Sequence, residues 1–237
     1  MNLSIDKILQ NSFVVTINEN RFNAFTAEFK KSGFTTLPKK FIGYEITDKY
    51  LMDNFKIIAD LKQSPIRGVL EHNLSKMHSI CNNASHFAIV QHALLLDLPF
   101  VTIFEDDAVP IENCIEKFSE FCSNIPDDTD ILRLGYLKNY SQTNDPKYIP
   151  PKIVLEHFVI ENYLGSHAYI IFKKHYRTFL ETNKDQPKCD YNLINPSSDK
   201  VVYAFKESLF NQINIMNAPV MHSYKMADGR MKFPKVT

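Results

Sequence analysis

An uninterrupted apolar run that ends in three acids is the feature that most limits how this chain can fold. Residues 100–104 read FVTIF, without the polar alternation of a half-buried strand. Such a run is typical of a parallel strand that is covered on both faces. Glu105, Asp106 and Asp107 follow it directly. Because open α/β sheets bind ligands beyond the carboxyl ends of their strands, the three acids predict a functional edge.

Strand-like and helix-like segments alternate along the first half of the chain, which predicts an α/β protein. Strands are predicted at residues 13–17, 40–46, 100–104, 130–134, 154–160, 167–172, 201–205 and 220–221. Helices are predicted at about residues 22–33, 49–61, 85–96, 110–122 and 174–181, with a long surface loop at 139–151. Residues 63–82 give no clear pattern. The pattern predicts a mixed, mostly parallel sheet flanked by helices.

Length and charge exclude several classes of protein. The 237 residues fit one domain, 1–237, and 44% of them are hydrophobic, enough for a sizeable core. The 27 basic and 27 acidic side chains cancel, which excludes a broadly basic nucleic-acid-binding surface and leaves no nucleic-acid partner expected. Neither a signal peptide nor an apolar window of about 18 residues is present. We therefore expect a cytoplasmic protein.

The cysteine and glycine content disfavours disulfide-based sites and excludes glycine-loop sites. The four cysteines form no CxxC pair, and Cys114 and Cys122 lie too far apart on one helix to bridge, so free thiols are expected. Six glycines are too few and too scattered to form a P-loop or a GxGxxG loop. Any bound phosphate must then be held by a metal ion or by basic side chains.

Two interpretations of the acids follow from the residues alone. Neighbouring carboxylates suit a hard divalent cation, which keeps open positions for water and for phosphate oxygens. Alternatively, Asp106 and Asp107 cap a helix that begins at Pro110, where their charge favours the positive end of the helix dipole. A helix cap accounts for one acid and leaves the others unexplained.

The segment FEDDA at residues 104–108 resembles the EDDA signature of glycosyltransferase family 25, the bacterial lipo-oligosaccharide sugar transferases and their relatives. Six further segments resemble family motifs in the same order along the chain. They are Ile17-Asn18 with Arg21 (INL-x-R), 84–86 (the end of GCALSH), 130–135 (DILYLG), 165–169 (GTHAY), Asp190-Tyr191 with Leu193 (D-x-x-L) and 219–223 (P-x-V-x-Q). No single segment is specific to the family, but seven segments in the family's order over residues 13–223 are.

The resemblance implies a GT-A, Rossmann-like fold with a nucleotide-sugar-binding half at about 13–135 and an acceptor-side half at about 152–223. It implies inverting transfer of a hexose, with galactose favoured, from a UDP-sugar to a glycan acceptor in lipopolysaccharide or other surface-polysaccharide synthesis. The cofactor implied is a divalent metal, Mn2+ or Mg2+, which would neutralise charge on the leaving diphosphate. The acceptor is expected to be an oligosaccharide or a lipid-linked glycan.

Candidate site residues follow from the acids and from the resemblance. The metal ligands predicted are Asp107, Glu105 and His222. The predicted donor-binding residues are Asn18, Arg21, His86, Glu105, Asp106 and His167. Asp190 is the predicted base that deprotonates the acceptor hydroxyl. Each has a structural alternative: a solvated loop acid for Asp190, a solvated helix start for Arg21, and histidines with an ordinary packing role.

Departures from the family pattern concern the substrate more than the reaction. Cys81-Asn82-Asn83 stands where the family has a glycine-containing turn, and His222 replaces a usual glutamine. The altered turn leaves open a non-catalytic relative that binds a glycan or a nucleotide. A metal-dependent phosphohydrolase is a third class, although the chain lacks the additional His and Asp spacing that it needs. The net positive segment 222–237 leads us to expect peripheral contact with the cytoplasmic face of the inner membrane, with a solvated tail as the alternative.

Overall fold

A computed structural model gives the fold of the chain. It describes residues 3–45, 67–122, 124–137, 152–160, 164–182, 196, 200–212, 224–225 and 231–232. The helix predicted at 49–61, the loop at 139–151 and the strand at 220–221 lie outside the described residues. The helices and strands below are numbered in chain order.

One mixed sheet forms the centre of the molecule. Its strands are β1 (Ser12–Thr16), β2 (Lys39–Ile42), β3 (Phe100–Glu105), β4 (Ala108–Pro110), β5 (Ile131–Leu137), β6 (Lys152–Leu155), β7 (Phe158–Ile160), β8 (Leu164–Phe172), β9 (Val202–Phe205) and β10 (Phe210–Gln212). A separate antiparallel pair is formed by β11 (Tyr224–Lys225) and β12 (Met231–Lys232).

The main strands follow the order β2-β1-β3-β8-β5-β9-β7-β6. β1 pairs in parallel with both β2 and β3, and β5 pairs in parallel with β9. β8 is antiparallel to its neighbours β3 and β5, so β2, β1, β3, β5 and β9 all point the same way. The predicted class, a mixed and largely parallel sheet flanked by helices, is confirmed.

Helices cover both faces of the sheet. They are α1 (Ile5–Gln10), α2 (Glu19–Lys31), α3 (Arg67–Leu95), α4 (Cys114–Cys122) and α5 (Tyr176–Thr182), with a 3-10 turn at Lys173–His175 before α5. Residues of α1, α2 and α4 share one core cluster with Val14 and Phe104 of the sheet. Residues of α3 and α5 share a second cluster with Val15 and Ile103. Successive strand residues point to opposite faces, so both faces of β1 and β3 are buried and alternation disappears from the sequence.

Local signals place the helix that follows β1. The side chain of Asn18 accepts hydrogen bonds from the backbone N–H groups of Asn20 at 2.8 Å and of Arg21 at 3.4 Å, which caps α2. The helix ends before Gly33, whose φ of 88° lies in the left-handed region that glycine adopts without strain. These two ends fix where β1 stops and how α2 returns across the sheet.

Several predicted elements have different bounds in the structure. α3 begins at Arg67, well before the predicted start at residue 85, because the Gly, Ser and Asn residues of its first half are weak helix formers that hide the pattern. Residues 154–160 form two strands, β6 and β7, that pair as a hairpin. The helix predicted from Pro110 begins only at Cys114, and Pro110 ends the short strand β4. α1 and the strands β4, β10, β11 and β12 were not predicted.

Candidate active site

A cleft of about 200 Å³ opens at the carboxyl ends of β1 and β3, beside the end of β2, under one side of α3. Its position is the edge at which open α/β sheets bind ligands. The lining residues come from the two strand ends, the segment after β2, and one side of α3: Val15, Thr16, Ile17, Arg21, Gly43, Tyr44, Cys81, Asn82, Ser85, Glu105, Asp106 and Asp107. All three acids of the predicted functional edge therefore reach one cleft.

Asp106 is held by two side chains from the β1 to α2 connection. Thr16 donates a hydrogen bond from its Oγ1 to Asp106 Oδ2 at 2.6 Å. Arg21 Nη2 donates to Asp106 Oδ1 as an ion pair. Asp106 is buried, whereas the Arg21 side chain is 28% exposed and lines the cleft. Asp106 therefore fixes the guanidinium of Arg21 at the cleft wall.

Asp107 has one satisfied and one unsatisfied oxygen. Gln212 of β10 donates from Nε2 to Asp107 Oδ2 at 3.0 Å. Asp107 Oδ1 is buried and has no hydrogen-bond partner among the described residues. Burial raises the pKa of Asp107, while the hydrogen bond from Gln212 and the charge of Arg21 partly oppose the rise. A cationic ligand at this carboxylate would relieve the cost of its burial.

Glu105 is the third acid, and one of its oxygens faces several donors. Ser166 Oγ donates to Glu105 Oε1 at 2.5 Å, and Asn82 Nδ2 donates to the same atom at 3.1 Å. The Nε2 atom of His86 lies 3.6 Å from this oxygen. These groups come from β8 and from α3, so Glu105 joins both sides of the cleft floor.

His86 is fully buried behind Glu105 and does not line the cleft. Its Nδ1 lies 2.6 Å from the hydroxyl of Tyr169, and the two rings stack with centroids 5.7 Å apart. Burial lowers the pKa of His86 to about 3, so the imidazole is neutral at physiological pH. The structure therefore places His86 one layer away from any ligand in the cleft.

His167 is also fully buried, at the start of β8 beside β5 and β10. Its Nε2 lies 2.9 Å from the backbone carbonyl oxygen of Phe210, the first residue of β10. Burial lowers the pKa of His167 to about 4. Gly135 is required beside it, because a Cβ there would lie 2.5 Å from His167 Nε2. His167 holds β10, the strand that carries Gln212 to Asp107.

The structure gathers some predicted residues and leaves others apart. Arg21, Glu105, Asp106 and Asp107 meet in the cleft. Asn18 is an exposed helix cap at its margin, and the roles predicted for it, His86 and His167 toward a donor stay predictions. Asp190 and His222 lie outside the described residues. Within the described ranges, no group of three or more His, Cys, Asp or Glu side chains is arranged to hold a metal ion.

The helix-cap interpretation of the acids is wrong. Asp106 and Asp107 occupy a tight turn between β3 and β4, and the next helix begins only at Cys114. β4 pairs with β10, which brings Gln212 opposite Ala108 and next to Asp107. Extended backbone after the acids leaves no free helix N–H groups for them to cap.

Five side chains that contact the predicted residues had not been identified from the sequence: Thr16, Asn82, Ser166, Tyr169 and Gln212. Ser166 and Tyr169 belong to the 165–169 segment of β8, where Ser166 contacts Glu105 and Tyr169 contacts His86. The resemblance of this segment to a family motif was the sequence signal that could have identified Ser166 and Tyr169 as site residues. Gln212 has no sequence signal, because its position depends on a short strand pairing across a long chain separation.

The cysteine prediction holds for the described part of the chain. Cys81, Cys114 and Cys122 are buried free thiols, and Cys114 and Cys122 lie at the two ends of α4. Burial raises the pKa of Cys114 to about 12, which makes it a packing residue rather than a nucleophile. No helix in the described ranges combines the length and the hydropathy that a membrane crossing requires.

Comparison with known families shows that the protein with this sheet and acidic cleft is a glycosyltransferase. The profile of glycosyltransferase family 25, described as LPS biosynthesis protein, matches residues 6–194. This match covers most of the chain and includes the predicted site residues Arg21, Glu105, Asp106 and Asp107, which line the cleft. The chain belongs to glycosyltransferase family 25 and is a glycosyltransferase of lipopolysaccharide biosynthesis.

No curated protein matches the sequence. Among solved structures, the inositol-1-phosphate CTP transferase from T. maritima is similar with a TM-score of 0.39 and 14% sequence identity. The similarity covers 88% of this chain and 92% of that chain.

Proposed function

We propose that the protein transfers a hexose, galactose in the favoured case, from a UDP-sugar to a glycan acceptor with inversion at the sugar carbon. The observation that carries this proposal is the acidic turn at the carboxyl end of β3, which lines a cleft between β1 and α3. Family membership supplies the sugar donor and the glycan acceptor in lipopolysaccharide synthesis. We also propose that the nucleotide is UDP, that the favoured hexose is galactose and that the fold is of the GT-A type.

We propose that the cleft binds a divalent cation, Mn2+ or Mg2+, through two of its acids. Asp107 has a buried carboxylate oxygen without a partner, and Glu105 adds a second carboxylate at the same cleft. Hard divalent cations prefer such oxygens. Asp107 and Glu105 would hold the ion, and we include His222 as a third ligand from the sequence. When bound, the ion would neutralise charge on the nucleoside diphosphate as it leaves.

Arg21 is the described cation that lines the cleft beside the acids. Its pairing with Asp106 through Nη2 fixes the direction of the guanidinium, and Thr16 fixes Asp106 in turn. A planar guanidinium is suited to orient phosphate or ribose oxygens. We propose that Arg21 positions the nucleotide and that Asp106 acts through Arg21. Asn18 would contact the nucleotide at the same margin of the cleft.

Asp190 is the proposed base that removes the proton from the acceptor hydroxyl. An inverting transfer requires a base on the side of the sugar opposite the diphosphate. Replacing Asp190→Asn keeps the size of the side chain but removes the base, so turnover should fall about 10²-fold to 10⁴-fold. UDP binding should stay unchanged. Equal loss of UDP binding and turnover would place Asp190 in the donor site, and the base would then be another residue.

The test of the proposed function is UDP binding by calorimetry, measured with Mn2+, after EDTA treatment, and after Mn2+ is restored. We expect binding to weaken strongly with EDTA and to recover with the metal. The same affinity in all three conditions would contradict metal dependence. A panel of UDP-, GDP- and CMP-sugars, read by release of the free nucleotide, then identifies the donor.

A non-catalytic relative is distinguished by two further assays. Such a protein would bind UDP or a glycan but release no UDP from a UDP-sugar, with or without an acceptor. We propose instead that UDP release accelerates when a lipid-linked glycan acceptor is added. We also propose peripheral contact of the protein with the cytoplasmic face of the inner membrane, tested by sedimentation with anionic vesicles at low and high salt.

A further inference from the structure

Behind the cleft, a line of buried polar side chains runs from β8 through α3 to the acidic turn. The hydroxyl of Tyr169 lies 2.6 Å from His86 Nδ1, and His86 Nε2 lies 3.6 Å from Glu105 Oε1. Tyr169 and His86 are both fully buried. Glu105, in contrast, lines the cleft. The line therefore connects the sheet core to a carboxylate that a ligand can reach.

The tautomer of His86 follows from its two neighbours. A neutral imidazole carries one proton, on either Nδ1 or Nε2. With the proton on Nδ1, the lone pair of Nε2 would face the carboxylate of Glu105 across a buried gap, which is repulsive. With the proton on Nε2, the N–H group faces that carboxylate and the Tyr169 hydroxyl donates to Nδ1. The second arrangement satisfies both neighbours.

We propose that Tyr169 and His86 act as positioning residues that hold the Glu105 carboxylate in place for a ligand in the cleft. The Tyr169 hydroxyl favours the Nε2–H tautomer of His86, and the N–H group then faces Glu105 Oε1 at 3.6 Å, where its dipole favours the carboxylate without a hydrogen bond. This inference rests on the proposed function, in which Glu105 belongs to the donor site. It assigns His86 an indirect role in place of direct donor contact.

Other contacts at Glu105 agree with this role. Ser166 and Asn82 donate to the same Oε1 atom at 2.5 Å and 3.1 Å. The separation of 3.6 Å to His86 Nε2 is about 0.6 Å longer than a usual N–H···O hydrogen bond. Partners in a layer behind a ligand site typically change affinity or activity by about 10-fold to 100-fold when they are removed.

The first test reads the tautomer directly by ¹⁵N NMR of histidine-labelled protein, in which protonated and unprotonated ring nitrogens have well-separated shifts. We expect the proton on Nε2 in the wild type and a shift of population toward Nδ1 in Tyr169→Phe. Tyr203→Phe is the matched control, since this buried tyrosine of β9 donates its hydroxyl to Asp128, a residue outside the cleft lining that precedes β5. A wild-type proton on Nδ1 would overturn the proposal.

The second test separates positioning from packing by comparing two substitutions of His86. The amide nitrogen of His86→Gln can take the place of Nε2–H, whereas His86→Leu fills the space without a donor. We expect UDP affinity in the presence of Mn2+ to fall about 10-fold to 100-fold in His86→Leu and to be largely kept in His86→Gln. Circular dichroism and thermal unfolding verify that both variants are folded.

The outcomes of the two tests distinguish this inference from the proposed function. Wild-type affinity in a folded His86→Leu variant would overturn the positioning role even if the wild type binds UDP as expected. Absence of UDP binding in the wild type would contradict the proposed function, and the tautomer measurement would still decide whether Tyr169 fixes His86.

Discussion

Two regions of the same sheet are built from opposite kinds of side chain. The acidic edge, formed by Glu105, Asp106 and Asp107, concentrates charge and buried polar atoms around the cleft. The aromatic region, formed where α4 packs on β7 and β9, consists of ring contacts. Phe205 is fully buried there, with ring centroids 5.0 Å from Phe121 and 5.2 Å from Phe158.

The contrast shows how stability and function are separated within one fold. Burial of large apolar rings is favourable without any partner of specific geometry. A buried polar atom without a hydrogen-bond partner costs free energy. Asp107 Oδ1, His86 Nε2 and His167 Nδ1 are such atoms at or behind the acidic edge, and the hydroxyl of Tyr176 in α5 is another away from it. We infer that the packing of the aromatic region offsets the unfavourable free energy of the buried polar atoms at the acidic edge.

The largest expected effect on stability comes from the aromatic region. Phe205→Ala removes a ring that contacts Phe118, Phe121 and Phe158, so the free energy of unfolding should fall by about 3–5 kcal/mol. Urea unfolding followed by circular dichroism measures the change. UDP affinity of the fraction that remains folded should be unchanged. A loss below about 1 kcal/mol would contradict the assigned role of this region.

The next effect concerns the acidic edge and should appear in ligand binding rather than in stability. Asp107→Asn keeps the shape of the side chain but removes the charge, so metal-dependent UDP affinity should fall at least about 100-fold, or about 2.7 kcal/mol. Because burial of the charge is unfavourable, the free energy of unfolding at neutral pH should be equal or higher.

A matched control for this substitution is Asp127→Asn, which removes an exposed acid from the loop before β5. This variant should keep wild-type UDP affinity and stability. If Asp107→Asn also keeps wild-type UDP affinity, Asp107 is not a ligand of the metal.

The buried histidines predict a moderate pH effect on stability. Burial lowers the pKa of His86 to about 3 and of His167 to about 4, from an ordinary value near 6.5. Below about pH 6.5 the unfolded chain therefore binds protons that the folded chain does not, and stability falls as the pH falls. Each histidine contributes about 1.4 kcal/mol per pH unit in this range.

The measurement is the free energy of unfolding from pH 7.5 to pH 5 for the wild type, His86→Gln and His167→Gln. Each variant lacks one of the two groups, so its stability should depend less steeply on pH than that of the wild type. Identical slopes in all three proteins would show that the folded histidines are accessible to protons.

The smallest expected effect is that of Arg21. Its side chain is partly exposed, so the ion pair with Asp106 contributes below about 1 kcal/mol to stability. Arg21→Lys keeps a charge but loses the planar fork that Asp106 fixes, so UDP affinity should fall by about 10-fold or less while thermal unfolding is nearly unchanged. Calorimetry on the folded variant decides this. A large loss of stability would assign Arg21 to the core instead of the cleft.

Local sequence patterns predicted much of the site because its main residues follow one strand. Glu105, Asp106 and Asp107 are consecutive, and a strand that is apolar on both faces places them at the carboxyl edge. Arg21 was found from the resemblance of its segment to a family motif, and the structure places it beside the acids because β1 is the parallel neighbour of β3. The part of α3 before residue 85 and the strand β10 were missed, since weak helix formers and a three-residue strand give no periodic signal.

The sequence by itself determined the α/β class, the position of the acids at a strand end and the family, because these depend on local periodicity and on consecutive residues. Only the tertiary structure decided what each acid contacts. Asp106 binds Thr16 and Arg21, Asp107 binds Gln212, and Glu105 faces Ser166. These partners are 61 to 105 positions distant in the chain. Their pairing depends on which strands become neighbours, and strand order is set by the packing of the whole core, which no local pattern encodes.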